Sequence, residues 1–256
     1  MIANSVTSLI NRDSLVQKLY TDLRQGKIPA IVIPNFLDSA KCQKIANRVL
    51  NSETSPGCGL TEKIGESINS YISNKLEYFK NAKVSNKYLN QIFLNDDPRE
   101  MMLNEISKLT KKKIQFAKEN LSSYSQGIIR CHSVGDVVHI HRDKACFDAP
   151  EFSVSKLSDQ MSAVLHLQSS ESGGELIIYD KFWSDNDERF RNPKFGYTSN
   201  VVNDVHMSKI FVRQGDLVII NPNKYHSVNT IKGKIKRVTF GFFFGQESES
   251  NLYAWS

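Results

Sequence analysis

Apolar positions in the first half of the chain recur mostly at helical spacing. Leu15, Val16, Leu19 and Leu23 follow Asp13 and Ser14, and Gly26 is placed to end the helix they predict. Residues 30–33 form a short apolar run closed by Pro34, which reads as a strand. Asp38 then caps a helix carrying Ile45, Ala46, Val49 and Leu50. Ile64, Ile68, Ile72 and Leu76, with Tyr71 and Phe79, predict an amphipathic helix. Asp97-Pro98 opens a further helix with Met102, Ile106 and Leu109. The lysines at 111–113 read as its solvated C-terminal end, where cations suit the helix dipole.

Past about residue 124 the pattern changes to short β-rich runs at 127–131, 137–141, 162–167, 175–179, 209–212, 217–220 and 237–244. Gly135, Gly173-Gly174, Gly215-Asp216, Asn221-Pro222 and Gly233 punctuate them. Such spacing predicts a sandwich, jelly roll or barrel, with the N-terminal helices packed on one β core. The expected organisation is a single domain over 1–256. It has a mainly helical part at 1–123, the β core at 124–246 and a C-terminal tail at 247–256.

With 256 residues, 40% apolar and 23% charged, the chain can bury a substantial core, which excludes wholesale disorder. No apolar run approaches the ~20 residues of a membrane span, and no secretory leader is apparent. Cys42, Cys58, Cys131 and Cys146 form no Cys-x-x-Cys pair, so free thiols in a reducing cytoplasm are expected. The net charge of +6 is compatible with an anionic small ligand or a loose nucleic-acid contact and is too small to decide between them, though it is spread out without a basic-aromatic groove, which ranks a nucleic-acid partner below a small-molecule substrate.

The chemistry gathers in the β half. His141-Arg142-Asp143 ends the apolar run at 137–141. Residues i and i+2 of a strand share a face, so an imidazole and a carboxylate are presented together. A further histidine, His226, follows the run at 217–220. Two histidines and one carboxylate are the facial triad of non-haem Fe(II) sites. A surface His–Asp contact gives the same local sequence. Arg237 lies two residues before Thr239 in the last run, on the same face. A guanidinium aimed into a buried site requires an anion, and a carboxylate matches it bidentately.

His141-x-Asp143, the segment 162–167, Gly173-Gly174-Glu175-Leu176, Gly215-Asp216-Leu217, His226 and Arg237-x-Thr239 together resemble the Fe(II)/2-oxoglutarate-dependent oxygenases. The similar branch is prolyl-hydroxylase-like. The segments 175–183 and 78–93 resemble stand-alone hydroxylases and halogenases of natural-product and amino-acid pathways. The resemblance implies an α+β chain with a double-stranded β-helix, a jelly-roll or cupin-like core. It implies Fe(II), 2-oxoglutarate and O2 as cofactor and cosubstrates, with His141, Asp143 and His226 as metal ligands. Arg237, Thr239 and His166 fall where the family holds 2-oxoglutarate. The implied reaction oxidises an unactivated C–H bond, typically by hydroxylation, and releases succinate and CO2.

Two positions depart from the branch. Cys131 stands where a tyrosine often lies ten residues before the first metal histidine, and His166 stands for a tyrosine on the following strand. His132, His139 and His206 read as structural or surface residues. The segments 144–160 and 180–200, with Phe147, Phe152, Phe182 and Trp183, are candidate lids. A cupin not using 2-oxoglutarate, a silent binding module and an oxygenase of protein side chains are the competing classes. Arg237-x-Thr239 argues against the first and a complete ligand set against the second.

Overall fold

The protein is described from a computed structural model covering residues 12–57 and 59–256. The expected absence of a leader, the Cys58 thiol and the Asp13 and Ser14 side chains fall outside the described residues. Two β-sheets face one another. The major sheet runs in the order Ile31–Ile33, Leu217–Ile220, Ser158–Gln168, Arg237–Gln246, Ile128–His132, Thr61–Ile64 and Ser55–Pro56. The minor sheet runs Met207–Ile210, Leu176–Phe182, Lys224–Val228 and Val138–His141. All of these neighbours are antiparallel. The result is the α+β jelly roll expected from the sequence.

Strand alternation divides the major sheet into two faces. Ile129, Cys131, Ala163, Leu165, Leu167, Val238, Phe240 and Phe242 enter one large core. Helices Arg12–Arg24, Ser39–Leu50, Lys75–Phe93 and Arg99–Thr110 cover that face through Leu23, Ile45, Val49, Leu89, Phe93 and Met102. Asp38 caps the second helix as expected, accepting hydrogen bonds from Ala40 N at 2.9 Å and Lys41 N at 3.3 Å. The intervening residues Arg130, His132, Ser162, Val164, His166, Arg237 and Thr239 point the other way, into a cavity between the sheets.

Three expectations are corrected. The stripe from Ile64 to Leu76 is not one helix. Ile64 ends the strand Thr61–Ile64, Ile68 begins the 3-10 turn Ile68–Ser70, and Ile72 and Leu76 are exposed. Gly65 explains the break: its φ is +114°, and a β-carbon there would lie 2.4 Å from the Gly127 carbonyl oxygen. The real helix is Lys75–Phe93, which buries Tyr78, Ala82, Leu89 and Phe93. The lysines at 111–113 are not all a helix end. Lys111 takes the left-handed C-cap conformation, and Lys113 starts the strand Lys113–Phe116. Residues 247–256 are not a loose tail. Asn251–Trp255 pairs with Arg237–Gln246 on one side and, in parallel, with Lys113–Phe116 on the other. Burial of Leu252, Ala254 and Trp255 holds it there.

A second core gathers Tyr78, Tyr124, Phe152 and Trp255. Phe152 is therefore fully buried packing and no part of a lid. At its edge Glu119 pairs with Lys75 and accepts hydrogen bonds from Tyr124 Oη (2.6 Å) and Ser153 N (3.0 Å). Burial works to raise its carboxyl, but these partners outweigh it and bring the pKa down to about 2. The folded pKa lies below the unfolded one, so the stabilisation is present above the ordinary glutamate range and lost as pH falls towards 2. Glu119→Gln should cost about 1–3 kcal/mol in urea unfolding at neutral pH. The deficit should shrink steadily on acidification, and a pH-independent deficit would show that packing alone is lost.

Candidate metal centre and cavity

His141 and His226 are cross-strand partners on Val138–His141 and Lys224–Val228, so both imidazoles leave the same face of the minor sheet. Their ring centroids are 4.1 Å apart. Each Nδ1 lies against a backbone carbonyl oxygen, at 2.8 Å from His139 O and 2.9 Å from Lys224 O. Those carbonyls favour a proton on Nδ1 and leave the Nε2 lone pairs for a ligand. Asp143 is held by its own N–H, which donates to Pro222 O at 2.8 Å. Its Oδ2 lies 3.4 Å from His226 Nε2 and 3.9 Å from His141 Nε2. The three donor atoms all fall within 4.8 Å of one another. The antiparallel register of two strands far apart in sequence brings His226 beside His141.

The electrostatics suit a cation. Burial, with the neighbouring His226, brings His141 down to about 4, so its imidazole is neutral near pH 7. Burial opposes ionisation of Asp143, but the His226 hydrogen bond and attraction to the neighbouring His141, His226 and Arg130 bring it to about 2. Two imidazoles and one carboxylate form a donor set that fits a divalent metal with open positions. Gly196, with φ +72°, lets its loop press against the strand Val138–His141, where a β-carbon would meet Ile140 O at 2.3 Å. This contact sets Phe195 5.2 Å from the His141 ring.

Across the cavity, Arg237 is 6% exposed, yet its side chain makes no hydrogen bond or ion pair among the described residues. Burial first, then the charge of Arg130, lowers its pKa to about 10, so it is charged at neutral pH and unmatched. Thr239 and His166 are cross-strand partners beside it, both buried, with side chains lacking a hydrogen bond among the described residues. Burial, then the Arg237 and His132 charges, hold His166 well below its ordinary pKa, hence neutral. An unpartnered guanidinium flanked by a hydroxyl and a neutral imidazole is a cradle for a carboxylate.

Sequence reasoning misplaced one residue here. Cys131 faces the helices in the core, whereas His132 lines the cavity. His132 pairs with Arg237 across the strands and engages Asp136 at 2.8 Å, with Thr61 Oγ1 donating to the same carboxylate at 2.5 Å. The missed signal was strand parity, since 128, 130 and 132 alternate with the apolar core positions 129 and 131. His139 is not part of the donor cluster, though its carbonyl orients His141. Of the candidate lids, Phe147 and Trp183 meet with centroids 4.5 Å apart, and the Arg142 guanidinium lies over both rings. No helix among the described residues is long and apolar enough to cross a membrane.

Known proteins place this architecture. A family model described as the carrier-protein-independent halogenase WelO5 matches residues 5–256. The chain is 28% identical over 138 residues to the leucinostatins biosynthesis cluster protein S of Purpureocillium lilacinum, covering 52% of this chain and 56% of that protein. It is 21% identical over 206 residues to the L-gamma-glutamyl-L-propargylglycine hydroxylase of Streptantibioticus cattleyicolor, covering 76% and 74%. In fold it is similar to an N-substituted L-amino acid dioxygenase from Burkholderia ambifaria AMMD, with TM-score 0.61, 13% identity and coverage of 94% and 91%. That dioxygenase has also been solved in complex with alpha-KG.

Proposed function

The chain belongs to the family of the carrier-protein-independent halogenase WelO5, and from that membership we propose that it is an Fe(II)/2-oxoglutarate dioxygenase hydroxylating a small metabolite. The family is one of Fe/2-oxoglutarate oxygenases, and the substrate we infer is a natural-product or amino-acid-derived compound. One observation carries the reading. A carboxylate, Asp143, sits between two imidazoles and shares a cavity with the unmatched, buried Arg237. Two of the relatives, a hydroxylase and a dioxygenase of amino-acid compounds, agree with it.

His141, Asp143 and His226 would hold the iron. Arg237, Thr239 and His166 would hold the distal carboxylate of 2-oxoglutarate. Together with O2, the bound iron and cosubstrate supply the oxidising chemistry, with succinate and CO2 as by-products. The protein's own part is placement. Nδ1–H donation to His139 O and Lys224 O fixes both ring orientations. Arg237 has a planar fork of donors for two carboxylate oxygens, and neutral His166 can add a third hydrogen bond. Val164, Leu176, Phe195, Val228 and Phe243 wall the cavity of about 560 Å³, limiting water near the reacting centre.

The test is substrate-stimulated succinate release by anaerobically Fe(II)- and 2-oxoglutarate-loaded protein, exposed to O2 with a panel of amino-acid derivatives. Formation of the visible band of the anaerobic iron–2-oxoglutarate complex is the first readout, and its absence would remove the reading. His226→Ala should fold but lose that band. Circular dichroism should be unchanged, because His226 lines the cavity and is not part of the apolar core. A full band in His226→Ala would remove His226 from the ligand set.

A further inference from the structure

A second guanidinium faces the same cavity. Arg130 lies on the strand Ile128–His132, next to Thr239 on one side and Lys63 on the other. Its side chain makes no hydrogen bond or ion pair among the described residues. Lys63 has a carboxylate already, Glu66, at 3.4 Å, and Lys236 pairs with Glu62 at 2.9 Å. Arg130 alone among the cations on this strand-facing wall shares Arg237's condition. Burial disfavours its charge, and the charge of Asp143 is the only influence that supports it.

Asp143 cannot serve both the metal and Arg130 at full strength, since a cation at the triad neutralises the carboxylate's field. With a metal in place, Arg130 and Arg237 are two partly or wholly buried cations with like-charge repulsion between them. One carboxylate held at Arg237 answers only one of them. Arg130 lines the same cavity as His141, Asp143 and His226. Opposite it the cavity wall is apolar, made of Val137, Leu176, Phe195 and Val228.

We propose that Arg130 is a substrate-specificity residue that binds an anionic group, a carboxylate, of the molecule to be oxidised. The substrate class is then a small organic acid whose apolar body rests on the Val137–Leu176–Phe195–Val228 wall. This rests on the oxygenase reading and narrows its substrate. Charge and shape both follow: the guanidinium fixes one end by paired hydrogen bonds, and the apolar wall accepts the remainder. Ester or amide derivatives of the same molecule lose the charge and should bind poorly.

The test uses protein loaded with Ni(II) as a redox-inert stand-in and saturated with 2-oxoglutarate, titrated calorimetrically. The probes are 3-phenylpropanoate and 3-phenylpropanamide, which differ in charge and share an apolar body. The acid should bind the unmodified protein at least about tenfold more tightly than the amide. In Arg130→Gln the two should bind alike, with 2-oxoglutarate affinity changed by less than about threefold. Equal binding of acid and amide by the unmodified protein, including binding of neither, overturns the proposal. So does a parallel fall in 2-oxoglutarate affinity in Arg130→Gln, which would make Arg130 a cosubstrate anchor. Failure of the unmodified, nickel-loaded protein to bind 2-oxoglutarate at all is distinct and would count against the oxygenase reading itself.

Discussion

Arg237→Ala should weaken 2-oxoglutarate binding by about 2–5 kcal/mol, some 30-fold to several thousand-fold, while leaving metal affinity nearly unchanged. The basis is a buried guanidinium that has no partner within the described chain and faces the same cavity as the triad. An unmatched buried charge costs stability, so the ligand-free protein carries a penalty that the cosubstrate would relieve. A second result follows from the same physics. Arg237→Met should leave the ligand-free protein as stable as the unmodified one, or more so, yet remove the rise in Tm that 2-oxoglutarate confers. Arg237→Lys should fall between, because a point charge replaces part of the interaction without the planar fork. Thermal melts with and without 2-oxoglutarate, on nickel-loaded protein, separate these cases. Unchanged 2-oxoglutarate stabilisation in Arg237→Ala would transfer the anchor to another cation. Lys236 is already paired with Glu62, which leaves Arg130 to carry it.

The β half was legible because its side-chain period is two. Once the strand Arg237–Gln246 was identified, parity put Arg237 and Thr239 on one face, and the structure has them lining one cavity. The same rule applied to 128–132 would have set His132 and Arg130 inward and Cys131 outward. The strand Lys224–Val228 was harder. All five residues are buried, including a lysine, because Lys224 Nζ reaches Asp180 Oδ1 and Gly26 O, each at 2.5 Å. A polar run satisfied by distant partners has no local apolar signature. The Ile64–Leu76 stripe failed in the opposite way. Its spacing is helical, but Gly65 at positive φ turns the chain there, and two of its four apolar residues face solvent. Periodicity records which positions are apolar and cannot register a backbone turn between them. The closeness of His141 and His226 depended on antiparallel register between non-consecutive strands, a long-range pairing that local sequence does not encode.

Asp143 sets the expected outcome of the reaction. The family takes its description from a halogenase, and in the halogenases resembled by this chain a small residue, commonly glycine, stands at this position. Its absence of a carboxylate leaves a metal position for halide. In this chain the carboxylate is present, ionised well below neutral pH, and its Oδ2 lies 3.4 Å from His226 Nε2. The Asp143 N–H bond to Pro222 O fixes the backbone from which this carboxylate projects. It would fill the position a halide needs and add a negative charge that repels one. The unmodified protein should therefore give an oxygenated product without halogen, even in buffer rich in chloride or bromide. Asp143→Gly should lose hydroxylation by about a hundredfold or more, since a metal-ligating carboxylate is removed. Its metal affinity should fall less in high chloride than in halide-free buffer, because the halide can occupy the vacated place and restore one negative charge. Metal titrations in the two buffers read that rescue without any substrate. Mass spectrometry of the product reads the chemistry, and bromine or chlorine in the product of the unmodified protein would end the assignment of Asp143 as a ligand.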